Sequence, residues 1–200
     1  MNTTLKLKWL NLPNFLTIFR IFLSGIFLFF IFNKDLISKV ISLVIFSVAT
    51  LTDFYDGYLA RKLSQVTDFG KFLDPIADKI LIFSCFLAFL QMQILKAWMV
   101  LIIFSREILI TFLRILALSK GKVIQANLLG KHKMVSQVVA IYIILIFLIF
   151  KELPYRFKFY NLNIESLFRL VINSVMGVVI ILTIISGLSY LWKNKLLFKD

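Results

Sequence analysis

Cysteine and histidine occur once each in these 200 residues, as Cys85 and His132, and proline only three times. A single thiol can form no intrachain disulfide, and one thiol with one imidazole cannot build a zinc centre of the His/Cys type. Neither redox chemistry nor such a zinc site is indicated. The prolines all fall near expected helix ends, so none interrupts a long apolar stretch. Acidic residues are scarce too, ten against 23 lysines and arginines, for a formal charge of +13. A basic excess of this size can mark a nucleic-acid binder, but here the bases sit between apolar runs and form no continuous patch. No nucleic acid partner is expected, and the basic residues read as topogenic charge at a membrane. Low-complexity tracts and internal repeats are absent.

What the chain has in abundance is apolar surface. Hydrophobic residues make up 60%, with 22 phenylalanines, and mean hydropathy is +0.94. A soluble domain has roughly 45–50% apolar residues. A helix needs about 20 apolar residues to cross the hydrocarbon layer, and such stretches can be placed six times: 14–32, 36–60, 74–95, 98–118, 133–150 and 166–192. The first carries Arg20 and is followed by no small-residue cleavage pattern, so it reads as a retained helix and not a signal peptide. The expected fold is all-α: a polytopic integral membrane protein, one domain over residues 1–200, built as a bundle of six transmembrane helices. A short arm, residues 1–13, interleaves Leu5, Leu7, Trp9 and Leu10 with Lys6 and Lys8, a pattern suited to the headgroup layer. Outside the spans, the arm, the second and fourth loops and the C-terminal tail carry about twice the Lys and Arg of the other side. Both termini are therefore expected in the cytoplasm.

Against that background the acids are unevenly placed. Five of the ten fall between Asp53 and Asp78, and four of these form helically spaced pairs, Asp53 with Asp56 and Asp74 with Asp78. Carboxylates at membrane depth are costly without a partner, which makes the cluster a candidate functional site. Residues three or four apart share a helix face, so each pair presents a fork of two carboxylates. The second expected helix runs inward and the third outward, which brings the end of one fork-bearing helix to the start of the other at the cytoplasmic surface. Four hard oxygens suit Mg²⁺ or Mn²⁺, and two ions about 4 Å apart can clamp both sides of a displacement at phosphorus. Gly57 and Ala60 leave room beside the carboxylates for a ligand, although the same spacing also serves helix packing in membranes. Arg61, one turn after Gly57, offers a planar donor fork to a phosphate. Asp74 followed by Pro75 also reads as an ordinary helix start, which accounts for Asp74 but not for Asp78. Asp68, near Ser64, Gln65 and Thr67, reads as a solvated turn residue.

Residues 53–61 (DFYDGYLAR), then eight residues, then Gly70, Asp74 and Asp78 at intervals of four, resemble the signature of the CDP-alcohol phosphotransferase family at every fixed position. Residues 11–20 (NLPNFLTIFR), 67–79 (TDFGKFLDPIADK), 105–114 (SREILITFLR) and 130–133 (GKHK) are most similar, within that family, to the bacterial phosphatidylglycerophosphate synthases. The last stretch departs from the expected pattern at Met134, where threonine is usual. The resemblance runs from the first helix to the fifth, about two-thirds of the chain.

The resemblance implies transfer of a phosphatidyl group from CDP-diacylglycerol to an alcohol with release of CMP, the acceptor being glycerol 3-phosphate. It implies that Asp53, Asp56, Asp74 and Asp78 hold two Mg²⁺ or Mn²⁺ ions and that Asp78 is also the general base. It implies that Asp56, Gly57, Ala60, Arg61 and Gly70 receive the cytidine and its phosphates. A phosphorylated acceptor calls for cations, and Arg106, Arg114, Lys131 and Lys133 are the candidates, with Asn14 and Arg20 secondary. Glu107 points about 100° from Arg106 around the helix and is not assumed to be its counterion. The resemblance further implies a homodimer in the bacterial inner membrane with its site facing the cytoplasm. Other readings are the same chemistry on serine or phosphatidylglycerol, an aromatic prenyltransferase using aspartate-bound Mg²⁺, and a divalent-cation carrier. The carrier reading is weakened by the absence of matching acids toward the outer ends of the spans.

Overall fold

The computed structural model describes the backbone of residues 12–62, 68–119, 128–157 and 162–193, and the side chains of residues 15–53, 76–117, 130–152 and 165–193. The interfacial arm expected before Leu12 lies outside the described residues. Within them the chain is helical throughout, with no strand: α1 Leu12–Ile31, α2 Leu36–Lys62, α3 Asp68–Gln91, α4 Ala97–Ser119, α5 Leu128–Phe157 and α6 Leu162–Lys193. The expected all-α class is found. Three helices hold stretches long and apolar enough to cross a membrane, Leu36–Asp53, Gly130–Glu152 and Glu165–Lys193, and Phe15–Ile31 is a shorter apolar stretch. In α4 the charges of Arg106, Glu107 and Arg114 interrupt the apolar run. Large apolar side chains stand outward, among them Phe29 at 70%, Leu101 at 66% and Trp192 at 74% exposure. Helices that bury one stripe and expose apolar residues elsewhere belong in lipid, because in water that surface would drive aggregation. The chain is a membrane protein.

The helix α3 starts earlier than its sequence indicated. Asp68 is its first residue and not a turn residue, so Asp74 and Pro75 lie inside the helix and the N-cap reading of Asp74 fails. Proline lacks an N–H, so the Lys71 carbonyl has no amide donor four residues on; Pro75 is the eighth residue of the helix, past the first turn where proline removes no bond.

The helices fall into two compact units. The first contains α1, α2, α3 through Ala88 and the end of α5. Here α1 and α2 make a tight antiparallel hairpin. Asp35 caps α2, its carboxylate accepting from the Ser38 amide at 2.7 Å, and that bond holds the carboxyl below its ordinary pKa. The buried Lys39 ammonium donates to the carbonyl of Ile31 at 2.5 Å, closing the C-terminus of α1. Phe27 and Phe46, both with no exposed surface, meet across the hairpin with ring centres 6.5 Å apart. Buried Ala49 and Ala77 supply small surfaces next to the acidic positions that follow them.

The second unit holds the end of α3, α4, α5 through Phe147 and α6. The exit from α3 is a Schellman turn, with the Ile94 amide bonded to the Phe89 carbonyl at 3.0 Å and the Gln93 amide to Leu90 at 2.9 Å. Gln93 takes the left-handed conformation, φ 57°, where glycine is usual. Helix α4 packs on α6, and the core includes Ile103, Ile141, Ile144, Leu145 and Met176.

Candidate active site

Helix α2 carries Asp53 and Asp56 in its last turns, and α3 carries Asp74 and Asp78. The side chains of Asp56, Gly57, Ala60, Arg61, Gly70 and Asp74 lie outside the described residues, as does that of Asn14. Asp53 and Asp78 are described, and the structure brings them together through a third helix. Nη1 of Arg20 lies 3.0 Å from Oδ1 of Asp53 and also donates to Oδ1 of Asp78. Arg20 is completely buried, whereas the two carboxylates keep 32% and 28% of their side-chain surface open. Carboxylates of α2 and α3 thus converge on one cationic centre delivered by α1.

Local sequence explains how α1 delivers it. Thr17, Arg20 and Ser24 are spaced three and four apart, so they share a face, and all three are buried. Ser24 returns its hydroxyl to the Ile21 carbonyl at 2.6 Å, which satisfies that donor in an apolar setting. Ala49, one turn before Asp53, and Ala77, beside Asp78, have essentially no exposed surface. Small side chains at these positions let helices approach closely. Arg20 was a secondary candidate for phosphate contact; here it is engaged by carboxylates.

The donor chemistry fits a hard divalent cation, since oxygens of two helices already share one positive centre in a partly open setting. Among the described residues, no three His, Cys, Asp or Glu side chains form a metal-ligand group.

A second polar cluster lies in the other unit, on α4, α5 and α6. Nη1 of Arg106 is 3.1 Å from Oε1 of Glu107, and the ammonium of Lys133 pairs with the same oxygen. Arg106 also donates through Nη2 to Oγ of Ser186 at 2.7 Å. Glu107 is therefore the counterion that its helical angle argued against: the long arginine side chain bends back to its sequence neighbour. Gly187 leaves room for this side chain, because a Cβ there would sit 3.3 Å from Cγ of Arg106 and would require it to shift by a few tenths of an ångström. Nε of Arg106 and Nε2 of Gln137, one turn after Lys133, are buried with no hydrogen-bond partner. Arg114 and Lys131, grouped with Arg106 and Lys133 from the sequence, are exposed. Ser186, Gly187 and Gln137 went unnoticed in the sequence. Only the 3–4 spacing of Thr183, Ser186 and Tyr190, all buried on α6, signals an inward polar stripe.

Residues 10–188 match the CDP-alcohol phosphatidyltransferase family. The chain is 34% identical over 196 residues to a Bacillus subtilis protein named CDP-diacylglycerol–glycerol-3-phosphate 3-phosphatidyltransferase, covering 92% of this chain and 95% of that one. A Rickettsia bellii protein of the same name is 38% identical over 137 residues, 68% of this chain and 75% of its own. A Mycobacterium tuberculosis protein named probable phosphatidylglycerophosphate synthase is 33% identical over 183 residues, 90% of this chain and 79% of its own. With the family match extending over most of its length, the chain belongs to the CDP-alcohol phosphatidyltransferase family.

Proposed function

We propose that the protein transfers the phosphatidyl group of CDP-diacylglycerol to glycerol 3-phosphate, giving phosphatidylglycerophosphate and CMP. The observation that carries this reading is the nearly end-to-end similarity to a relative named for that reaction. The convergence of Asp53 and Asp78 on one cationic centre supports it from the side of the chemistry.

In this reading the carboxylates of Asp53, Asp56, Asp74 and Asp78 hold two Mg²⁺ or Mn²⁺ ions. Once bound, these ions neutralise the diphosphate of the donor and stabilise charge developing at phosphorus. Gly57, Ala60 and Gly70 leave space for the cytidine beside Asp56, and Arg61 binds its phosphates as a bidentate donor. Asp78 accepts the proton of the acceptor hydroxyl. The freed oxygen attacks the phosphorus bearing the diacylglycerol, the bond to the CMP oxygen breaks, and CMP leaves. Lys133 and Arg106 receive the phosphate of the acceptor, with Lys131 and Arg114 adding positive charge. Glu107 holds the first two in place, and its one negative charge leaves them in net excess.

The same reading places six helices across the bacterial inner membrane, with both termini and the site on the cytoplasmic side, and the chain as a homodimer. The test is to give purified protein CDP-diacylglycerol, Mg²⁺ and one alcohol at a time, following CMP. Release with glycerol 3-phosphate and not with serine or phosphatidylglycerol is expected. Release with another alcohol alone would reassign the acceptor, and none with any would remove the activity.

A further inference from the structure

We infer that Arg20 is a positioning residue for the cation centre: its guanidinium holds Asp53 and Asp78 together before the ion arrives and then sets how tightly the ion is bound. The inference rests on the carboxylate reading above and adds to it a resident counter-charge.

Arg20 is the one charged residue in α1, and it is fully buried. A guanidinium does not discard its proton on burial, so its charge must be balanced where it stands. The balance comes from two different helices, with Asp53 of α2 and Asp78 of α3 on the same nitrogen. Without Arg20 these carboxylates would face each other with only partial access to water, and like charges so placed push their helices apart. Removing the guanidinium takes away the positive charge that both partly open carboxylates share. Arg20 therefore keeps the ligand geometry assembled at low cation concentration.

The same charge acts on the ion itself. A divalent cation engaging Asp53 and Asp78 must share their oxygens with a fixed positive neighbour, so its affinity is lower than the carboxylates alone would provide. Arg20 thus exchanges affinity for preorganisation and for ready release of the ion.

The experiment compares the parent with Arg20→Gln and Arg20→Lys in detergent micelles. Thermal unfolding is followed in EDTA and in saturating Mg²⁺, and Mn²⁺ binding is measured by calorimetry without substrate. Arg20→Gln should unfold at lower temperature in EDTA, recover most of the difference in Mg²⁺, and bind Mn²⁺ about tenfold more tightly. Arg20→Lys should stay near the parent in both respects. Equal destabilisation of Arg20→Gln with and without Mg²⁺, or unchanged or weaker Mn²⁺ binding, would overturn the inference. If Arg20→Gln does not fold in EDTA, adding Asp78→Asn removes one of the two like charges and should restore folding; an unfolded double variant also overturns it. A parent that shows neither Mn²⁺ heat nor a Mg²⁺-dependent shift would sink the carboxylate reading itself. A responsive parent matched by an equally responsive Arg20→Gln would sink only the role of Arg20.

Discussion

Two side chains carry opposite jobs in the proposed reaction, and substitution should separate them. Asp78 is roughly one-quarter exposed and held by Arg20, so Asp78→Asn keeps size and shape while removing both a cation ligand and the proton acceptor. Loss of turnover by at least about a hundredfold is expected in the CMP assay, the range general-base removal commonly produces. Lys133 pairs with Glu107 on a different element. Lys133→Ala should raise the KM for glycerol 3-phosphate about tenfold with kcat less affected, as expected for a lost charge-assisted hydrogen bond to the substrate. A fall in kcat with unchanged KM would instead assign Lys133 to holding α4 and α5 together through Glu107.

At the scale of an element, the exit from α3 holds an avoidable strain. Gln93 is exposed and left-handed, and a residue with a Cβ is disfavoured there by about 1 kcal/mol relative to glycine. Gln93→Gly should therefore raise the unfolding midpoint by about 2–4 °C for a chain of this size, measured in detergent with activity unchanged. A lower midpoint would mean that the Gln93 side chain contributes more than its backbone costs. The other end of α3 shows why helix starts are hard to read. Asp74 and Pro75 form a convincing start signal, yet the helix begins six residues earlier and carries Pro75 as its eighth residue, at the cost of one backbone hydrogen bond.

Across the whole molecule the expected arrangement is six crossings with cytoplasmic termini, a question of orientation. Cys85 is buried, so it gives little background to thiol labelling. In intact cells a membrane-impermeant maleimide should label Lys34→Cys, between α1 and α2, and should reach Lys193→Cys, at the end of α6, only after the membrane is opened. Labelling of both in intact cells would place the two on the same outer side and refute the assigned topology.

Hydropathy and spacing by themselves determined the helical class, the membrane setting and the paired aspartates, because each rests on local repetition: apolar runs of sufficient length and acids three or four apart. The family signature at residues 53–78 was legible for the same reason. Only the tertiary structure decided which charges balance which. Arg20 lies 33 residues before Asp53 and 58 before Asp78, and no local rule couples them. Glu107 became the partner of Arg106 and Lys133 because helix packing removed both cations from solvent and left that carboxylate within reach. Charge pairing in lipid is chosen by burial, and burial is a property of packed helices.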